Sequence, residues 1–319
     1  MTPAGNQPMS SNRRLLLLTV GTALVMVALI VVSAVVNGGR GATTASQAPD
    51  FSPRIASIHT GPQGTVPQFV VKCAFSHTAP DDPIVHPGMT GMSHSHDFFG
   101  NRGTDASSTA ATLAGGATSC TKQSDTAAYW APTLSDHGQP VTPLGLVAYY
   151  RPAPGVDPTT IEPFPAGLMM IAGDSMAEGP QPVEIASWTC GTSSDLQVAP
   201  PTCPPEAPLR ARLTFPDCWD GVHLDSDDHH THVTFSNDGT CPAGFPVTMP
   251  QLTVTVRYPI SGAGHDLTLA SGPTFTIHSD FFNTWDQSEL TKLVDLCLHR
   301  GVVCNVASNR AEDEPQLAS

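Results

Sequence analysis

The feature that most constrains this chain is the segment at residues 15–36, an unbroken run of apolar or small residues without a single charge. A run of that length crosses the hydrocarbon core of a bilayer as a helix. Arg13 and Arg14 stand directly before it and only Arg40 follows closely, so the positive-inside bias leaves residues 1–14 in the cytoplasm and exports everything after the run. The reading is a single-pass anchor at 15–36 with the C-terminal part outside the cell. Cleavage as a signal peptide is the alternative, but the run is longer than the hydrophobic core of such peptides.

Residues 37–50 are rich in Gly, Ala, Ser and Thr and lack apolar periodicity, the composition of a flexible tether. The folded part is expected at 51–305, with a disordered tail at 306–319. Three of the chain's 14 Lys and Arg are Arg13, Arg14 and Arg40, whereas all 28 Asp and Glu lie beyond the apolar run. So acidic a domain is a poor partner for nucleic acid, which requires cations to neutralise phosphates. All 8 cysteines also lie beyond the run. An even number on the exported side predicts four disulfides, with Cys190–Cys203 and Cys297–Cys304 as natural local pairs.

Strand-like stretches recur between Pro and Gly: 68–74, 145–150, 168–172, 183–188, 210–215, 232–235, 251–258 and 274–277. In the seventh, Leu252, Val254 and Val256 alternate with Thr253, Thr255 and Arg257, the pattern of a strand with one buried face. The fold class is mainly β: an antiparallel β-sandwich or jelly-roll-like domain with long loops, disulfides and a short C-terminal helix. That helix is expected at 286–300, opened by Asp286 and Glu289 in a capping-box pattern and closed by Gly301.

Ligand-capable side chains gather in three segments. Between His86 and Asn101, His94 and His96 would share one face of an extended strand, the spacing of two metal-coordinating imidazoles. Between Cys218 and His232, the residues Asp225, Asp228, His229 and His232 crowd together. A third stretch, His278-Ser279-Asp280-Phe281-Phe282-Asn283, echoes His96-Asp97-Phe98-Phe99-Gly100-Asn101. Three readings of these residues compete: His–Asp hydrogen bonds that pin loops, a divalent-metal site, or metal-free acid–base chemistry with His oriented by Asp. The block Gly173-Asp174-Ser175 looks like that of the GDSL esterases, but its mid-chain place and the spacing of Asp295 and His299 favour an ordinary turn.

Taken in order, His86-Pro87-Gly88, Ser93 to Gly100, Ala128-Tyr129-Trp130-Ala131-Pro132, Phe164-Pro165-Ala166-Gly167, Phe215 to Gly221, Cys241-Pro242 and His278 to Trp285 resemble the domain of unknown function 1996 (DUF1996) family over residues 66–300. That family occurs on secreted fungal and actinobacterial proteins, and the chain resembles an actinobacterial, membrane-anchored member. Its company with carbohydrate-binding modules implies a glycan setting by association.

The expected site therefore has catalytic candidates His94, His96, Asp97, Asp225, Asp228, His229 and His232, with His94, His96 and His232 as ligands of a divalent metal ion. Tyr129, Trp130 and Trp219 would stack on sugar faces, aided by Asn101 and Asp280. The expected function is action on, or binding of, cell-wall or environmental polysaccharide by a hydrolase or lyase. The alternative is a non-catalytic envelope protein that binds glycan or metal.

Overall fold

Alternating side-chain direction builds the larger sheet. In β14 (Gln251–Arg257) Leu252, Val254 and Val256 are wholly buried and the residues between them face the other way. The same division holds in β1 (Gln68–Cys73), β7 (Gly145–Arg151), β9 (Ala186–Cys190) and β10 (Leu209–Thr214). With β17 (Val303–Val306) these form a six-stranded sheet in the order β17-β1-β7-β14-β10-β9. All its pairings are antiparallel except β1 with β17.

The computed structural model describes residues 66–306. The apolar run at 15–36, the tether at 37–50 and the tail beyond 306 lie outside the described residues. Among the described residues no helix is long and apolar enough to cross a membrane.

A second, five-stranded sheet runs β2 (Phe75–Ala79), β3 (His96–Gly100), β4 (Ala128–Pro132), β16 (His278–Phe282), β8 (Met169–Gly173). Its inner side chains Phe99, Tyr129, Met170 and Phe281 meet Phe69, Tyr150, Leu213 and Val254 of the larger sheet in one core. Each fully buried Phe or Leu there contributes about 1.5–3 kcal/mol. The aromatic centre is also tied by polar tips. The Tyr129 hydroxyl donates to Asp125 at 2.9 Å and meets that of Tyr150, to which Trp285 Nε1 donates at 3.0 Å. Phe98, Trp130 and Phe282 form a smaller cluster on the outer side of the five-stranded sheet, covered by Ile84 and Leu113.

The four disulfides are Cys73–Cys120, Cys190–Cys203, Cys218–Cys241 and Cys297–Cys304, with no free cysteine. Both expected local pairs are present. The C-terminal helix α1 (Gln287–Leu293) starts where expected, capped by Asp286 through the backbone N–H groups of Ser288 and Glu289. Glu289 does not close a capping box. Its carboxylate instead meets Lys122 Nζ at 3.1 Å. The helix continues as a π-type segment through His299. The strand expected at 274–277 is a 3₁₀ turn, and the strand begins at His278. Strands β3, β4 and β16 are buried at every position, so they lack the alternation that marks a half-buried strand.

Candidate metal centre

The outer face of the five-stranded sheet carries the histidines. Strand β4 lies between β3 and β16, with His96 opposite Pro132 and Asp280 opposite Trp130. Two residues on from Asp280, His278 falls into the row of His96 and Pro132. Side chains on one row point to one face, so the two rings lean together with centroids 5.7 Å apart. His94, in the loop just before β3, adds a third ring 4.3 Å from that of His96 and 5.1 Å from that of His278.

Second partners fix the rings. His96 Nδ1 lies 3.0 Å from the Asp81 carbonyl and His278 Nδ1 lies 2.9 Å from the Thr276 carbonyl. A carbonyl only accepts, so each Nδ1 carries the proton and each Nε2 of a neutral ring presents a lone pair. Those Nε2 atoms face each other at 3.5 Å, and His94 Nε2 is 3.3 Å from His278 Nε2. One proton, donated by His94 to His278, can satisfy one contact, but His96 Nε2 then still faces a lone pair. Protonating the rings is disfavoured: burial, followed by the charge of His278, holds His96 well below the ordinary imidazole range, and burial lowers His278 to about 4.

A bound cation would resolve this arrangement. Three imidazole nitrogens around one tetrahedral zinc ion at ~2.0–2.1 Å are separated by about 3.3 Å. The ligand nitrogens of His94, His96 and His278 all lie within 4.8 Å of one another. The carbonyls of Asp81 and Thr276 are the outer partners that orient metal-ligating histidines.

Two buried carboxyls adjoin the trio. Oxygens of Asp82 and Asp280 and a ring nitrogen of His96 also lie within 4.8 Å of one another. Asp82 Oδ1 accepts the backbone N–H groups of Ile84 and Val85. Asp280 is 1% exposed and neither oxygen has a hydrogen-bond partner. Burial, then the neighbouring Asp82 charge, pushes its carboxyl well up. A cation beside it would relieve that desolvation. Gly173, across from His278, has φ +83, and a Cβ there would lie 2.6 Å from the Ile277 carbonyl. The Gly173-Asp174-Ser175 block thus serves close strand pairing, followed by a turn in which Asp174 accepts from Met176 N–H. Asp295 and His299 pair with each other at 3.0 Å.

The other sequence candidates are placed apart from the trio. His232 stands outside the group of His94, His96 and His278: its Nε2 donates to the Met169 carbonyl at 2.7 Å and its Nδ1 lies 2.9 Å from the Ser226 hydroxyl, which donates to Asp228. His229 pairs with Asp225 at 2.9 Å. Asp228 accepts from the N–H groups of Thr231 and His230, which hold its carboxyl low, so this segment is a loop pinned by its own His and Asp. Asp97 points to the inner side of its sheet, where Thr78 and Thr133 donate to it, and burial raises it to about 6.

Tyr129 and Trp130 are 0% exposed and cannot stack on a sugar, a correction to the role expected for them. Trp219 is half-buried against the main core, with Nε1 donating to the His223 carbonyl. Asn101 is buried and donates to the carbonyls of Leu113 and Thr126. His278 and Asp82 belong to the cluster although sequence spacing does not bring them near His94 and His96. The echo at 278–283 was the available signal for His278.

Fold and site together define a disulfide-braced β-sandwich bearing a buried imidazole and carboxyl cluster on one outer sheet face. The chain belongs to the family described as domain of unknown function (DUF1996), whose model matches residues 82–285. That span contains His94, His96, His278, Asp82 and Asp280. No curated protein and no solved structure matches the chain.

Proposed function

We propose that this protein is an exported, membrane-anchored domain whose working centre is a mononuclear zinc-type site formed by His94, His96 and His278. One observation carries the reading: the Nε2 lone pairs of His96 and His278 face each other at 3.5 Å, fixed there by carbonyls on both Nδ1 atoms. A bound metal ion turns that contact from repulsive to favourable without rotating a ring or protonating a buried imidazole. The four disulfides support an oxidising compartment, and the charge-free run at 15–36 supports the anchor.

Three imidazoles leave one tetrahedral position for water or substrate, the composition of catalytic rather than structural zinc sites. Such an ion activates a bound water or polarises a substrate oxygen. Elemental analysis of full-length protein purified in detergent tests the assignment. One zinc per chain is expected, lost in His278→Ala and kept in His232→Ala. Equal metal content in both variants would refute it.

A further inference from the structure

Asp280 is a buried acid set against another acid. The register that brings in His278 also places it: on β16 the residues His278, Asp280 and Phe282 share the outer face, and Asp280 stands opposite Trp130 of β4 and Ile171 of β8. Trp130, Ile171 and Phe282 belong to the outer apolar cluster. A carboxylate in such surroundings loses its hydration and recovers the loss only from a partner. The protein supplies none, since both Asp280 oxygens are buried without a hydrogen bond.

Asp82 arrives from the loop that covers this face. Its Oδ1 takes the N–H groups of Ile84 and Val85, which fixes the carboxyl on a turn, and Ile84 packs into the same apolar cluster. An oxygen of each acid and a ring nitrogen of His96 lie within 4.8 Å of one another. Burial drives the Asp280 carboxyl up, and the charge that acts on it is that of Asp82 rather than of a Lys or Arg. Burial likewise raises Asp82, while the N–H groups of Val85 and Ile84 and the charge of His86 lower it.

Two acids under cover need either a shared proton or a shared cation. A shared proton has no use for the third donor, the nitrogen of His96. A cation draws on all three, and metal coordination is one of the few states in which buried carboxylates persist.

We propose that Asp82 and Asp280 form a second cation position, adjoining the three-histidine one at His96, that takes a hard divalent ion of the manganese type. Carboxylate and water oxygens suit such ions, whereas imidazoles suit zinc. With zinc on His96 Nε2 the second ion is held by the two carboxylates and water; with the trio empty, His96 joins them. The carboxylates are common to both cases, so this position fills whether or not the trio holds zinc.

Manganese titration of full-length protein in detergent, read as loss of the free-ion paramagnetic resonance signal, tests the assignment in zinc-free and zinc-loaded protein. One manganese per chain is expected in the zinc-loaded form, and manganese at the carboxylates in the zinc-free form. Asp280→Asn should weaken its binding by at least the roughly ten- to hundredfold that losing an outer partner of a metal ligand costs. Asp82→Asn should do the same, with its amide oxygen still accepting from Ile84 and Val85. Both variants should keep the zinc content of the wild type, and Asp280→Asn should melt no lower than the wild type in metal-free buffer, because it removes a buried charge. His278→Gln should lose zinc and keep manganese, which separates this position from the zinc site. Absent manganese binding in both forms, or equal binding by Asp280→Asn and the wild type, would overturn the assignment and leave the two acids sharing a proton. Manganese lost in His278→Gln but kept in Asp280→Asn would also overturn it, by giving that ion to the three histidines.

Discussion

Replacing His278 by Gln removes one nitrogen of the trio while keeping most of the side-chain volume, so the fold is little disturbed and the metal is asked to leave. Structural zinc in small domains binds with about 10–16 kcal/mol. Shared over four ligands, that is about 3 kcal/mol per imidazole, or roughly a hundredfold in Kd. With free zinc at 100 times the wild-type Kd, the ion stabilises the native state by about 2.7 kcal/mol. For a domain of this size that raises Tm by about 5–10 °C. The variant, near its own Kd at the same zinc concentration, should gain only about 1 °C. Calorimetric titration with zinc and paired melts with and without zinc read both quantities. If His278→Gln and the wild type share one Kd and one Tm shift, or if His232→Gln loses as much, the three-histidine reasoning is wrong.

Three further outcomes follow from particular contacts. Asp97→Asn should stabilise the protein at pH 8 by up to about 3 kcal/mol, because burial holds the folded carboxyl at about 6. The native state keeps its proton where the unfolded chain has lost it, so wild-type stability falls as pH rises from about 4 to 6; the advantage of Asn should vanish below about pH 4 in melts across that range. Gly173→Ala should lower Tm and also weaken zinc binding without touching a ligand, since its Cβ would press on the Ile277 carbonyl beside His278; normal zinc affinity in a destabilised variant would separate the two effects. Removing the Cys218–Cys241 bridge, which spans 23 residues around the His/Asp-rich loop, should cost about 3 kcal/mol in denaturant melts while leaving zinc affinity intact.

Much of the sandwich was legible because strands that alternate apolar and polar residues announce themselves. Leu252, Val254 and Val256 alternate with polar neighbours in β14, and the even number of cysteines beyond the apolar run gave the disulfides. The sheet that carries the site was not legible in that way. In β3 and β16 both faces are covered, the outer one by Ile84 and the loop around Asp82, so His96-Asp97-Phe98-Phe99-Gly100 shows no period of two. His94 and His96 were found because they are near each other in sequence. His278 arrives through β-sheet register from more than 180 residues away, and sequence spacing has no access to that. His232 falls outside the trio for the converse reason: local density of His and Asp is also what a self-pinned loop requires. Tyr129 and Trp130 read as sugar platforms because composition does not reveal which side of a strand meets the core.

Zinc-edge X-ray absorption on zinc-loaded full-length protein tests the central claim most directly. A first shell of nitrogen and oxygen at about 2.0–2.1 Å with the multiple scattering of three imidazoles is expected, reduced to two in His278→Gln. A shell of water oxygens without imidazole scattering, or three imidazoles persisting in His278→Gln, would contradict it.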